Sequence, residues 1–189
     1  MDDATFVPAA GTFDAFANVC KFRKSVRFFG TKEIPQEKLL ALLALAGHAP
    51  SVKNLQPWHF HVVLNRKLRS ELMEASCYGN FVEGAAAFLV VTCDAGVSGR
   101  TQDVIWNPRE LEYSCVVAMT HVLLGASALG LGSCWVSLHE QDVRKTLSLE
   151  KNHTVVGGIM LGHISQLESR EKVLPRSTKP KRDAFTMYP

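Results

Sequence analysis

Residues 107–138 read NPRELEYSCVVAMTHVLLGASALGLGSCWVSL, and this stretch decides the fold class. It opens with a capping Asn107, Pro108 at the first helical position and Glu110 at the third, three features that start an α-helix. The helix is expected to run to about Leu129 and to stop at Gly130, with Ser133 to Leu138 following as a strand. No Asp, Glu, Lys or Arg occurs from Tyr113 to Leu138, a length that reaches across a bilayer. Thr120 and His121 in the middle, the Gly130-Leu131-Gly132 interruption and the lack of flanking Lys/Arg asymmetry argue against a span. A helix buried all round, followed by a buried strand, fits a chain of 189 residues better.

The segments on either side alternate between helix and strand. Phe13 to Phe22 reads as a helix and Arg23 to Gly30 as a basic loop. Pro35 opens a helix over Gln36 to Ala46, with leucines at 39, 40, 42, 43 and 45 and Gly47 as its stop. Trp58 to Leu64 has strand content, Lys67 to Ser76 is helical by composition, and Ala87 to Cys93 reads as a fully buried strand. Asp94 to Asn107 is a glycine-bearing loop of the length that often serves as a lid. Glu140 to Leu147 is a short helix, and Val155 to Leu161 a last strand containing Gly157 and Gly158. Residues 165–189 are polar, carry three prolines and read as an extended arm. The alternation predicts one α/β or α+β domain over 1–189, built around a single sheet.

Composition narrows the function classes. With 47% hydrophobic and 21% charged residues and no biased repeat, disordered, collagen-like and disulfide-scaffold classes are excluded. A net charge of +3 is too small to predict a nucleic-acid partner. The five cysteines form no CxxC pair, and four of them have mostly apolar or small neighbours, so they read as reduced core residues of a cytoplasmic protein, with a catalytic thiol as the lesser alternative. Met1 to Phe16 opens on Asp2 and Asp3 and lacks the basic start and apolar run of a signal peptide.

Two stretches carry candidate chemistry. Arg23-Lys24-Ser25-Val26-Arg27 puts three cations and a hydroxyl in five residues; if extended, Arg23, Ser25 and Arg27 share a face and converge on one anion. Taken alone, it reads better as a solvated basic turn. Ala49-Pro50-Ser51-Val52-Lys53-Asn54-Leu55-Gln56-Pro57-Trp58 is stiffened by two prolines. Its Ser51, Asn54 and Gln56 offer groups that read a heteroaromatic edge, though plain connectors share this content.

Together, RKSVR and the later APSxxNxQPWxFxVV resemble the FMN-dependent nitroreductase family. The resemblance extends through Gly79-Asn80-Phe81, Ala128 to Trp135, Gly158 to His163 and Leu174-Pro175-Arg176, from about residue 18 to 180. It implies a three-layer α+β sandwich with a mainly antiparallel sheet, paired as an intertwined homodimer with two FMN molecules in clefts built from both chains. The uncharged helix would form the dimer core and the arm after Ser165 would wrap the partner.

The resemblance also implies site roles. Arg23, Lys24 and Ser25 would face the phosphate and ribityl chain, and Arg27 the N1/C2 carbonyl edge, where a fixed cation favours accumulating charge. Lys24 stands where Arg or His is more usual. Pro50, Ser51, Asn54 and Gln56 would lie along the ring, and Asn80 at its pyrimidine end. Trp135, Val136 and Ser137 would supply backbone near N5 and O4, although a Glu-Gly pair found there in some members is missing. Arg176 would reach the phosphate, with Lys179 as a second, offset cation.

Gly130-Leu131-Gly132 is not completed into a dinucleotide fingerprint, in keeping with an NAD(P)H donor that binds transiently over the flavin. The implied activity is ping-pong reduction of nitroaromatics, quinones or a related acceptor. Alternatives are a specialised relative, either a reductive dehalogenase or a flavin-cleaving enzyme, and a flavin-binding protein without turnover. An iodotyrosine-type dehalogenase is disfavoured: Glu110, Glu112 and Tyr113 are present, but no lysine lies between Lys67 and Lys145. No residue stands out as a general acid. His59 and His61 would share a strand face, yet with no third ligand nearby, packing or surface roles are expected over a metal. His163 is expected to be structural and Cys134 a small apolar filler.

Overall fold

Asn107 starts the central helix as its sequence predicts: its side-chain Oδ1 accepts a hydrogen bond from the Arg109 N–H at 3.0 Å. The fold is taken from a computed structural model that describes residues 8–77, 84–107 and 109–166. In chain order it contains α1 (Thr12–Phe22), α2 (Gln36–Gly47), β1 (Trp58–Val63), α3 (Arg66–Glu74) and β2 (Ala87–Asp94). These are followed by α4 (Arg109–Ala128), β3 (Gly132–Val136), α5 (Glu140–Leu147) and β4 (His153–Gly162). A 3₁₀ turn, Ala95–Arg100, and a tight turn over Val52–Asn54 whose backbone is non-helical at Lys53 lie inside stretches that read as plain loop.

The four strands form one sheet in the order β1-β2-β4-β3, and every neighbouring pair is antiparallel. Helices cover both faces, so the class is α+β with three layers. On one face Leu39, Leu42 and Ala46 of α2 and Cys115, Met119 and Val122 of α4 pack against Leu89, Val91, Ile159 and Leu161. On the other, Leu72 and Met73 of α3 and Val143 of α5 pack against Phe88, Val90, Val136 and Met160. Double cover explains why β2 is apolar on both faces instead of alternating. The pairing of β2 with β4 shifts between Val91 and Thr92, a bulge that reverses the alternation of β4 so that Val155 joins the core of Met160 and Val156 that of Ile159 and Leu161.

Two expectations need correction. The α4 helix is not buried all round: Leu111, Cys115, Ala118, Met119, Val122 and Ala126 form one buried stripe, while Tyr113 is 52% exposed and Val116, Val117 and Leu124 are only half-buried. It is long and apolar enough to cross a membrane by length and composition, and half of that apolar window is buried within the fold. The sulfurs also divide differently, with Cys93, Cys115 and Cys134 buried but Cys20 and Cys77 exposed. The α1 helix buries none of its residues, leaving Phe13 79% and Phe16 54% exposed. An eleven-residue helix with no buried residue is marginal in water on its own.

Candidate functional site

The basic stretch leaves α1 at Arg23, whose backbone turns to an extended conformation (φ −61°, ψ 123°). It then runs alongside the outer edge of β3, where Ser25 pairs with Ser133 and the Val26 N–H donates to the Ser133 carbonyl at 2.9 Å. Val26 and Phe29 are the buried anchors. Their seat is lined by glycine, because a Cβ at Gly132 would stand 2.9 Å from Val26 Cγ1 and one at Gly162 would stand 2.7 Å from Phe29 Cδ1. With Val26 turned inward, Ser25 and Arg27 share the outer side, and Arg27 Nη1 lies 3.5 Å from the Ser25 carbonyl oxygen. Arg23, Lys24 and Ser25 are half-buried and Arg27 is exposed. The stretch is therefore a docked strand edge bearing cations, not a solvated turn.

The second stretch is a bent loop held in unusual backbone conformations. Lys53 (φ 49°), Asn54 (φ 55°) and Gln56 (φ 49°) all occupy the left-handed region without being glycine. Asn tolerates this; Lys and Gln do so at a cost that surrounding contacts must offset. Ser51 Oγ accepts from the Gln56 N–H at 3.0 Å, and Gln56 Nε2 donates to Asn54 Oδ1 at 3.2 Å. Pro50, Asn54 and Gln56 are exposed and Ser51 is half-buried. Near the end of β3, Trp135 is half-buried, Val136 is buried in the core and Ser137 is exposed, its carbonyl accepting from the Cys77 N–H at 2.9 Å. Val136 thus offers backbone alone. A Cβ at Gly157 would stand 3.0 Å from Trp135 Nε1, so that glycine leaves room for the indole.

One chain does not bring the two stretches together. Arg23 to Arg27 lie outside β3 at one edge of the sheet, whereas Pro50 to Gln56 lead into β1 at the other. Three inter-strand steps across the sheet and a fourth from β3 out to Arg23–Arg27 amount to roughly 20 Å. Asn80, Arg176 and Lys179 lie outside the described residues.

The loop proposed as a lid divides in two. Its first half is pinned: Asp94 accepts from the Gly96 N–H at 2.8 Å and from the Asn152 side chain, and its other oxygen lies 3.7 Å from Arg100 Nη2. The second half carries Val104 and Trp106, which are 64% and 89% exposed. It is tied to the bent loop by Lys53 and Asp103 at 3.3 Å.

A cavity of about 750 Å³ lies elsewhere, between Ile34, Leu64, Arg66, Arg69 and Met160, and includes none of the predicted residues.

His59 and His61 do share a strand face, and His153 on β4 joins them, with ring centroids 4.6 to 6.4 Å apart. Sequence reasoning missed His153 because strand pairing alone brings it near. Thr92 Oγ1 lies 3.2 Å from His61 Nε2 and 2.8 Å from His153 Nδ1. Burial, reinforced by His59 and His153, pushes the His61 pKa down to about 4. Among the described residues no group of three or more His, Cys, Asp or Glu is arranged to hold a metal ion. The Cys115 thiol is pushed up by its hydrogen bond with Cys93 and by burial, which keeps it protonated and inert. The His163 carbonyl accepts from the Gly30 N–H at 2.7 Å, while its side-chain Nε2 is buried with no hydrogen-bond partner among the described residues.

The pattern that defines the nitroreductase family matches residues 20–163. The chain belongs to that family. A relative from Archaeoglobus fulgidus, provisionally named an NADH dehydrogenase/NAD(P)H nitroreductase, is 32% identical over 146 residues, covering 75% of this chain and 80% of the relative. The 5,6-dimethylbenzimidazole synthase of Rhodospirillum rubrum is 30% identical, covering 79% of this chain and 82% of that enzyme. A nitroreductase-type structure from Desulfovibrio desulfuricans, solved in complex with FMN, superposes with a TM-score of 0.76 at 22% identity, covering 92% and 96% of the two chains. The nitroreductase fold is thus established along with the family, and membership implies oxidoreductase chemistry.

Proposed function

We propose that two copies of this chain form an FMN-dependent oxidoreductase that takes electrons from NADH or NADPH and passes them to a nitroaromatic, a quinone or a related acceptor. The observation that carries this reading is the basic stretch docked beside β3, three cations on a fixed edge in a chain of this family. The donor set suits FMN: guanidinium and ammonium groups with a hydroxyl for a phosphate, and amide and hydroxyl groups for a ring edge. The separation of the two stretches fits a cleft to which one copy contributes Arg23 to Arg27 and its partner contributes Pro50 to Gln56. The uncovered faces of α1 and α4 supply the apolar surface for that pairing.

FMN would supply the two-electron carrier. Arg23, Lys24 and Ser25, with Arg176 and Lys179 from the arm, would hold its phosphate and ribityl chain. Arg27 would set a permanent positive charge at the N1/C2 edge, favouring the reduced ring. Ser51, Asn54, Gln56 and Asn80 would fix the ring's orientation beside Pro50, and the backbone at Trp135 to Ser137 would border its N5 and O4 edge. Exposed Trp106 and Val104 stand ready to exclude water from a flat acceptor. Solvent supplies the protons.

The decisive experiment is anaerobic mixing of FMN-loaded protein with NADH or NADPH, followed by an acceptor and then by air. Loss of the visible flavin band and its full return on oxidation support the proposal. A band that persists at millimolar donor leaves a flavin-binding protein without turnover. The similarity to 5,6-dimethylbenzimidazole synthase over most of both chains favours one second reading: the dimethyl-substituted benzene ring in that named product is also part of a flavin, so the flavin itself would be the substrate. A band that bleaches and fails to return in air would decide for it.

A further inference from the structure

The bent loop 51–56 is strained, and its internal hydrogen bonds do not say what fixes it relative to the rest of the fold. Among the described residues, two polar contacts fasten it to other elements before Pro57. One is the Lys53–Asp103 ion pair, with side chains 47% and 63% exposed, a kind of contact that water and salt weaken. The other is internal: Ser114 of α4, 5% exposed, accepts the Val52 N–H at 3.1 Å. The same hydroxyl donates to the Glu110 carbonyl at 2.6 Å, which commits its proton to the helix and turns a lone pair toward Val52.

We propose that Ser114 is a positioning residue. Its hydroxyl pins Val52 to α4 and so holds Lys53, Asn54 and Gln56 in their left-handed conformations, setting the direction in which Ser51, Asn54 and Gln56 meet the flavin ring. The inference rests on the FMN reading above. Ser114 touches neither the cofactor nor the acceptor; it acts through the loop. With the hydroxyl gone, the Val52 N–H loses its acceptor, and the two residues that resist the left-handed region relax toward ordinary backbone conformations.

The test compares wild type with Ser114→Ala and Ser114→Thr, the latter keeping the hydroxyl, in full-length protein. FMN affinity is read from quenching of flavin fluorescence, the environment of the ring from the shape of its visible band, and the two-electron potential by dye equilibration. Ser114→Ala is expected to raise the FMN dissociation constant by about tenfold, to alter the band shape and to shift the potential. Ser114→Thr should restore all three. Asp103→Asn, which breaks only the exposed pair, should move affinity by less than about twofold.

If wild type fails to take up FMN, the functional reading falls. If wild type binds and Ser114→Ala matches it in affinity, band shape and potential, the positioning role is overturned. The role is equally overturned if Ala and Thr weaken binding alike. Should Ser114→Ala fail to fold, Ser114→Cys replaces it: similar in size but a poor acceptor, it should lose affinity, and wild-type behaviour in it would refute the inference.

Discussion

His61 and His153 share one hydroxyl: Thr92 Oγ1 lies between them, 3.2 Å from His61 Nε2 and 2.8 Å from His153 Nδ1. A hydroxyl in this position can donate to one ring and accept from the other. Burial first, then His59 and His153, lowers the His61 pKa to about 4. An unfolded histidine titrates near 6.5, so between about 6.5 and 4 the unfolded chain binds more protons than the native one and stability rises with pH. Stability is therefore expected to be fully present above about pH 6.5 and to fall as acid approaches pH 4. Urea unfolding at a series of pH values checks this. His61→Gln should flatten the slope in that window; parallel curves would assign the acid sensitivity to other groups.

At the centre of the sheet, Gly158 lies directly under the Phe88 ring, and a Cβ there would come within 2.3 Å of Cε2. Phe88 is fully buried and has no direction in which to yield. Gly158→Ala is expected to destabilise the fold by about 1–3 kcal/mol, measured as a shift in urea midpoint at constant slope.

Asn107 caps α4 through its contact with the Arg109 N–H. Asn107→Ala should cost about 1 kcal/mol, and Asn107→Asp, which keeps the acceptor and suits the helix dipole, should cost almost nothing. Paired thermal unfolding curves separate the two outcomes.

That cap also shows what a sequence exposes. Local signals, such as Asn107 before Pro108 or Gly130 after a long apolar run, govern helix ends through neighbouring backbone groups, and the element order was accordingly legible. Features set by distant pairing were not. His153 reaches His61 only because β4 lies beside β2, and the left-handed turn at Lys53 and Asn54 is held partly by Ser114, sixty residues on. The half-covered α4 misled for a related reason: a helix without charge from Tyr113 onward predicts burial, but it does not say whether its own chain or a second copy covers each face. The candidate site residues could be named from motif content, whereas their division between two sheet edges required the strand order.

Arg27 is exposed beside the Ser25 carbonyl, on the edge proposed to face the flavin. Arg27→Ala is expected to weaken FMN binding by at least about tenfold and to slow reduction by NAD(P)H, whereas Arg27→Lys keeps the charge but loses the planar fork and should fall between. Fluorescence titration at two salt concentrations checks this, since loss of a cation that meets a phosphate or reduced ring also reduces salt sensitivity. Unchanged retention and reduction rate in Arg27→Ala would remove Arg27 from the site.

Because the basic stretch and the bent loop occupy opposite edges of the sheet, two lesions in different chains should complement each other. A chain with Arg23→Ala and Arg27→Ala lacks one half of the proposed cleft; a chain with Asn54→Ala and Gln56→Ala lacks the other. Each alone should bind FMN poorly. In a mixed pair, one cleft collects both lesions and the other collects none. Random re-pairing of equal amounts should therefore restore about a quarter of the sites, since half of the pairs are mixed and each holds one intact cleft of two. Co-expression with two affinity tags isolates the mixed pair, and its FMN content, one per two chains, measures the result directly. If each cleft were instead built within one chain, every copy in the mixed pair would keep its own lesion and no site would recover.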